Sequence, residues 1–291
     1  VTRGSALIAL ALSAGMPAPA FAQAWVPPAG IGIVTFVYQN IDNTDHRAAD
    51  GTLIPGFESV SRGVLVNLDY AVTDRVSFSV GFPYIASKYT GAKPSFFSLP
   101  IDECRCWNHG WQDVSASARY NIVNAAFGLT SSVSFGVPSH DYDSIGEAAL
   151  GRNLKELRLA IDAGRRLDGI WNRLSVSGRY SFAFVEQIDD IGSNRSNISL
   201  DVGVLASRKM STNMTFSWQR THGGLKSTEF NDENFLLFDL VLKDNNFQIG
   251  GGVAYSLPRV DLFLSYMHFA SGTDTHAGRA LTAGVSVPFE R

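Results

Sequence analysis

The sequence predicts an all-β chain. The expected fold is a transmembrane, antiparallel, up-and-down β-barrel of about 12 strands that follows a cleaved signal peptide. Three observations predict it. Apolar and polar residues alternate with period two through segments of ten residues or more. Short polar turns alternate with long polar loops along the chain. The N-terminus reads as an export signal, and after Trp25 no apolar run reaches the ~18 residues that a membrane helix needs.

The first element is the export signal, over residues 1–24. Arg3 supplies a basic start, Ala6 to Ala14 a short apolar run, and Pro17-Ala18-Pro19-Ala20-Phe21-Ala22-Gln23-Ala24 the small-x-small pattern that signal peptidases cut, here after Ala22 or Ala24. No cysteine follows the apolar run, so no lipid anchor is expected. Residues 25–291 form the barrel.

Strand periodicity then recurs. Val76, Phe78, Val80, Phe82 and Tyr84 alternate with Ser77, Ser79 and Gly81; Val114, Ala116, Ala118 and Tyr120 alternate with Ser115, Ser117 and Arg119. Phe127 to Val137 and Leu174 to Phe184 repeat the pattern. Alternation places the two residue classes on opposite faces, and ~9–11 tilted residues cross a bilayer. Short turns are expected at Thr73-Asp74, Asn124-Ala125, Leu167-Asp168-Gly169, Lys209-Met210-Ser211 and Pro258-Arg259. Long loops are expected at Ile41–Phe57, Thr90–Gly110, Ser139–Arg152, Asp189–Asn194, after His222, and at Ser271–Ala277. Short periplasmic turns and long outer loops are the outer-membrane rhythm. The expected strand starts are Gly30, Glu58, Arg75, Trp111, Ala126, Asn153, Arg173, Arg195, Asn213, Asn245, Arg259 and Gly278, an even set with both termini in the periplasm. One apolar run, Phe235 to Leu242, is left for the long outer loop or an upward extension of the tenth strand.

The apolar face is expected to meet lipid. The polar face holds Ser, Thr, Gly, Asn and Arg rather than the Lys and Glu of a solvated exterior. Tyr70, Tyr120 and Tyr255 precede short turns, while Tyr84, Phe184, Trp218 and Tyr266 lie towards the long loops, which makes two aromatic girdles. The last strand ends at Phe289, resembling the C-terminal signal read by the barrel-assembly machinery, although Glu290 and Arg291 follow it. The expected location is the outer membrane of a Gram-negative bacterium. The expected partners are outer-membrane lipid, the assembly machinery during insertion and a small-molecule solute.

Composition excludes other classes. Charged residues make up 18%, against roughly 25% in soluble domains. With 24 basic and 27 acidic residues the net charge is −3, which argues against a nucleic-acid partner. The basic residues are 18 Arg and 6 Lys, a bias that suits enclosed ion pairs. Cys104 and Cys106 could ligate a metal with His109, form a local disulfide or remain thiols; three ligands at so tight a spacing in an oxidising compartment favour the last two. No cofactor is expected. His46, His109, His140, His222, His268 and His276 all fall in loops or at outer strand ends without a hydrolase signature. His140-Asp141, or Asp274 with His276, is the best arrangement available to an outer-membrane hydrolase, and polar loop residues explain them better. The chain is therefore expected not to be an enzyme.

The charges of the polar face are the candidate site: Asp69, Asp113, Arg119, Glu156, Arg158, Asp162, Arg179 and Asp201. They either brace a filled interior or line a selective path. Counted upward from the short turns, Arg158, Arg179 and Asp201 fall at one depth with Asp162 below them, a net-positive belt.

Gly110-Trp111-Gln112-Asp113-Val114 leading to Ala118-Arg119-Tyr120, and Gly250-Gly251-Gly252-Val253-Ala254-Tyr255-Ser256-Leu257 followed by Val260-Asp261-Leu262, resemble the outer-membrane family named for the meta-pathway of phenol degradation. The family usually has Gly where Gln112 stands. The resemblance spans most of residues 25–291 and implies a porin-like transporter of small, aromatic or hydrophobic compounds. The alternatives are an outer-membrane hydrolase and a structural or adhesion barrel with binding loops.

Overall fold

The computed structural model describes residues 24–91, 100–167, 173–231 and 234–290. The expected signal peptide, apart from Ala24, lies outside these residues, as do Asp168 and Gly169 of one expected turn.

Alternating apolar residues form twelve long strands among the described residues: β1 (Ile31–Arg47), β2 (Ser59–Ala71), β3 (Val76–Tyr89), β4 (Val114–Asn124), β5 (Phe127–Val137), β6 (Glu156–Arg166), β7 (Leu174–Val185), β8 (Ser193–Leu205), β9 (Met210–Gly223), β10 (Asn245–Ser256), β11 (Asp261–Thr273) and β12 (Thr275–Glu290). Each pairs antiparallel with its chain neighbours, and β12 returns to β1 from Ile31↔Glu290 to Arg47↔Thr275. The barrel is closed, so every long strand has two partners, which is how β-structure satisfies its backbone in lipid. No described helix is long and apolar enough to cross a membrane.

The seam shows why residues sit where they do. Gly32 pairs with Phe289, and the Phe289 ring fills the space that a Cβ on Gly32 would need, 2.1 Å from it. The terminal aromatic thus covers a glycine on the lipid face. On the other face Thr35 Oγ1 meets Ser286 Oγ at 3.1 Å and Gln39 Nε2 donates to Thr282 Oγ1 at 3.2 Å.

The two faces differ as the alternation requires. Phe78, Phe135 and Met214 are about half exposed on the outer face (50%, 55% and 49%). Asn67, Ser79, Thr130, Ser181 and Thr215 are buried on the inner face. Outward Tyr120, Phe127, Tyr255 and Phe289 lie at one end of the wall, and Tyr84, Trp111, Phe184 and Tyr266 towards the other.

Several boundaries differ from expectation. The turn expected at Lys209-Met210-Ser211 closes earlier, with Ser207 N donating to Met210 O, because the Ser207 hydroxyl accepts from the backbone of Lys209 and Met210. The first outer loop is shorter than Ile41–Phe57, since β1 runs to Arg47 and pairs there with a two-residue strand, Leu53–Ile54. No long loop spans Ser271–Ala277. Asp274 alone, at φ 51°, joins β11 to β12. These two strands pair only from Asp261↔Ser286 to His268↔Arg279; above that, β11 stays with β10 and β12 with β1, so the wall splays. The fourth strand is also interrupted. A short strand, Asn108–Trp111, pairs with Tyr84–Ser87, and Asp113 falls in the break before β4. The apolar run Phe235 to Leu242 belongs to the outer loop, as a 3₁₀ turn (Phe235–Leu237) followed by a helical turn (Phe238–Val241).

The lumen as the candidate functional site

The inner faces enclose a cavity of about 390 Å³ in the half of the barrel towards the long loops. One wall is cationic. Arg119 on β4, Arg158 on β6, Arg179 on β7 and Arg195 on β8 border it, joined by Arg152 from the loop before β6. Glu156 sits between two of them. Its Oε1 is 2.7 Å from an Arg158 guanidinium nitrogen, and its Oε2 is 2.5 Å from one of Arg195. Arg179 reaches Asp162 at 3.2 Å across the β6–β7 ladder, where the two are register partners. Arg152 donates to Leu240 O and Ser193 Oγ, tying its loop to the outer helical turn. Burial, and then the neighbouring Arg195, lower the Arg152 guanidinium to about 9, still a cation at neutral pH. Asp244, hydrogen-bonded to Gln219 at 2.8 and 3.0 Å, is pushed above its ordinary value by burial.

The opposite wall is apolar. Ile41, Met267 and Phe269 border the cavity, and Val37, Leu65, Ala254 and Phe263 form a buried cluster on the same side. Phe263 fits because Gly284 faces it: a Cβ there would stand 2.3 Å from the ring. Met267 likewise lies across Gly250.

The end nearer the short turns holds Ala24-Trp25 inside the barrel, an arrangement open to a chain cut after Ala22 and not to one cut after Ala24. Ala24 O accepts from Asn121 Nδ2 at 3.1 Å and Thr130 Oγ1 at 2.9 Å. Trp25 Nε1 donates to Ala125 O at 3.0 Å, and Arg119 donates to Trp25 O at 3.4 Å. The segment lies against the paired glycines Gly128 and Gly164. A Cβ on Gly128 would stand 2.6 Å from Ala24 O, and one on Gly164 would stand 2.7 Å from Ala24 Cβ and 2.8 Å from the indole. Arg166 lies over the Trp25 ring at 5.8 Å.

Of the eight residues singled out from sequence, Asp113, Arg119, Glu156, Arg158 and Arg179 border the cavity. Asp69, Asp162 and Asp201 do not. They are buried against the wall, Asp69 accepting from Asn67 at 2.5 Å and Asp201 from Thr215 at 2.5 Å and Asn213 at 3.3 Å. Asp113 stands in the break below the short strand and accepts from Tyr142 Oη. The single-depth belt is corrected. Asp162, placed below it, pairs directly with Arg179. Arg158 pairs with Ala183, four residues further up β7, and Asp201 pairs with Ser177. Barrel strands tilt and stagger, so equal counts from the turns are not equal depths. Sequence reading missed Arg195, Arg152, the apolar wall and the Ala24-Trp25 floor. Arg195 shares parity with Asn197 and Asp201 and was legible on that ground. A loop arginine and a returning N-terminal segment carry no periodic signal.

Cys104 and Cys106 are disulfide-bonded. Two Ser–His contacts exist, Ser139 Oγ to His140 Nδ1 at 2.9 Å and Ser196 Oγ to His222 Nε2 at 2.7 Å. Among the described residues neither histidine has a carboxylate hydrogen-bonded to its other ring nitrogen, the third member that a hydrolytic triad needs.

No protein-family model matches the chain, and no curated protein matches it. Solved structures do. The COG4313 outer membrane channel from Pseudomonas putida F1 aligns with a TM-score of 0.71 over 92% of this chain and 98% of that one, at 14% identity. The NanC porin aligns at 0.51, covering 87% and 98% with 10% identity. The translocator domain of the autotransporter NalP from Neisseria meningitidis also aligns at 0.51, covering 90% of each chain with 13% identity. The fold shared with all three is the outer-membrane β-barrel.

Proposed function

We propose that the protein is an outer-membrane channel for small organic solutes, selecting anions that carry an aromatic or other apolar body. The observation that carries this reading is the two-sided cavity. Guanidinium groups offer charge, planar hydrogen bonding and stacking on one wall, while Met267 and Phe269 offer an apolar surface on the other. On the lining itself five arginines of the cationic side face three carboxylates, Asp113, Glu156 and Asp244, while Asp162 and Asp69 are set back in the wall near Arg179 and Arg119. That leaves a positive excess for a solute anion to neutralise. The sequence resemblance to the phenol meta-pathway family supports an aromatic solute, and the placement of long loops outward and short turns in the periplasm follows from the same reading.

One observation favours a second reading. Ala24-Trp25 lies below the cavity and meets its lining at Arg119, and a barrel obstructed there binds without conducting, as a structural or adhesion barrel with binding loops would. On the channel reading the floor moves aside during passage. Planar-bilayer recording separates the two. The parent barrel is expected to conduct weakly with anion preference, and Arg179→Ala to lower that preference. If both barrels show the same current and reversal potential, and the variant only unfolds more readily, the arginines are structural and the channel reading fails.

A further inference from the structure

Above the cavity, three outer segments bring acid and imidazole groups together in a place that solute passage does not require. Glu147 comes from the loop between β5 and β6, Asp239 from the helical turn Phe238–Val241, and His276 from the second position of β12. One ligand-capable atom from each lies within 4.8 Å of the others. His276 Nδ1 is 3.7 Å from Glu147 Oε2, too far for a hydrogen bond. Two donors on one tetrahedral Zn²⁺ stand ~3.3 Å apart when each bond is ~2.0–2.1 Å, so a small contraction would bring the pair to a shared ion.

A second observation is independent of that clustering. The Glu147 side chain is only 7% exposed, and its Oε2 has no hydrogen-bond partner; His276 Nδ1 has none either. Unpaired buried donors and acceptors are rare in folded proteins and call for an unseen partner. Asp102 accepts from the backbone N–H of Glu147 and Ala148, and Asp239 Oδ2 accepts from Gly146 N, so two more carboxylates crowd the same spot. The imidazole is held in place: His46, its register partner across the seam, meets it edge-on with ring centroids 5.0 Å apart. His276 also borders the cavity, which gives an ion a way in.

We propose that Glu147, Asp239 and His276 form a binding site for one divalent transition-metal ion of zinc-like preference. An imidazole with two carboxylates suits Zn²⁺ better than Ca²⁺ or Mg²⁺, which take oxygen ligands. The ion offsets the buried negative charge and ties two outer loops to the rim of the barrel wall. Because the three groups lie above the arginine wall, the site stands whether or not the barrel conducts.

The test uses the folded full barrel with its disulfide intact, stripped with EDTA and titrated calorimetrically with Zn²⁺. One Zn²⁺ per barrel is expected, with Ca²⁺ and Mg²⁺ failing to compete. Glu147→Gln and His276→Gln should each weaken binding by roughly tenfold or more, the scale on which perturbing a metal site acts. His268→Ala and His109→Ala, which remove exposed imidazoles, should bind as the parent does. Zn²⁺ should also slow proteolysis of the 224–243 loop in the parent and leave Glu147→Gln unaffected. Should one variant fail to fold, the other decides. Absence of Zn²⁺ binding by the parent, parent-like affinity in a folded Glu147→Gln or His276→Gln barrel, or loss of binding in His268→Ala overturns the proposal.

Discussion

The two ends of the lumen are walled by the same strands and closed in different ways. The end nearer the short turns is held mainly by neutral groups: Ala24 O accepts from Asn121 and Thr130 and the indole of Trp25 lies over a glycine pair, with Arg119 donating to Trp25 O and Arg166 over the ring. The outer end is filled by charge, with Glu156 between Arg158 and Arg195 and loop residues Arg152 and Asp244 above them. The difference follows from what each end must satisfy. The floor sets a peptide's carbonyls against amide, hydroxyl and guanidinium donors, none of which loses an ion partner when the segment departs. The outer half holds guanidinium and carboxylate groups whose separation leaves an enclosed charge unpaired, which is costly. On the channel reading proposed above, the floor is the end that opens and the charged half is the end that selects.

The largest expected effect tests the floor. Gly164→Leu places a side chain where Ala24 and Trp25 lie, within 2.8 Å of both. The segment must leave, and single-channel conductance should rise several-fold with the arginine wall untouched. Unchanged conductance in a correctly folded barrel would mean that the segment does not obstruct the path, and the contrast between the ends would collapse.

Arg179→Ala probes the other end. It leaves Asp162 without its ion partner at a buried position and should cost about 1–3 kcal/mol in urea unfolding. The reversal potential should shift towards cations at the same time. A double-mutant cycle with Asp162→Asn isolates the pair, and an interaction energy near zero would show that the wall's charges act independently.

A milder variant sharpens the first. Trp25→Ala removes the hydrogen bond to Ala125 O and the ring beneath Arg166, worth about 1 kcal/mol together. Ala24 remains bound, so conductance should rise less than for Gly164→Leu. A larger rise than in Gly164→Leu would make the indole, rather than the peptide, the obstruction.

The smallest effect concerns pH at the outer end. Burial raises the Asp244 carboxyl above its ordinary 3.8. The folded state therefore keeps a proton that the unfolded state has released, and stability falls as pH rises from about that value to the raised one. Hydrogen exchange in the 224–243 loop should quicken across that window in the parent and become flatter in Asp244→Asn. Equal slopes would remove Asp244 from the account of the outer end.

The legible and illegible parts of the molecule divide along physical lines. Alternation at Phe78, Val80 and Phe82 against Ser77, Ser79 and Gly81 assigned both faces, since a strand's side chains have no third direction. The pairing of charges was not legible in the same way. Asp162 meets Arg179 because β6 and β7 are staggered by barrel closure, a quantity that belongs to all twelve strands together. Glycine was ambiguous too. Nothing in the periodicity marks Gly128 or Gly164, and only their pairing beside Trp25 gives them a purpose.

By itself the sequence determined the class of fold, the even strand number, the lipid-facing side chains and the arginine-rich interior, because each depends on local periodicity or composition that every strand repeats. Only the tertiary structure decided which arginine meets which carboxylate, that the chain's own Ala24-Trp25 returns to floor the lumen, that β11 and β12 splay above His268, and that Glu147 and Asp239 gather around His276. Those contacts join residues on different loops and strands, from 17 positions apart for Asp162 and Arg179 to 129 for Glu147 and His276. Their geometry is set by closure and by the folding of loops over the mouth, neither of which leaves a repeating trace along the chain.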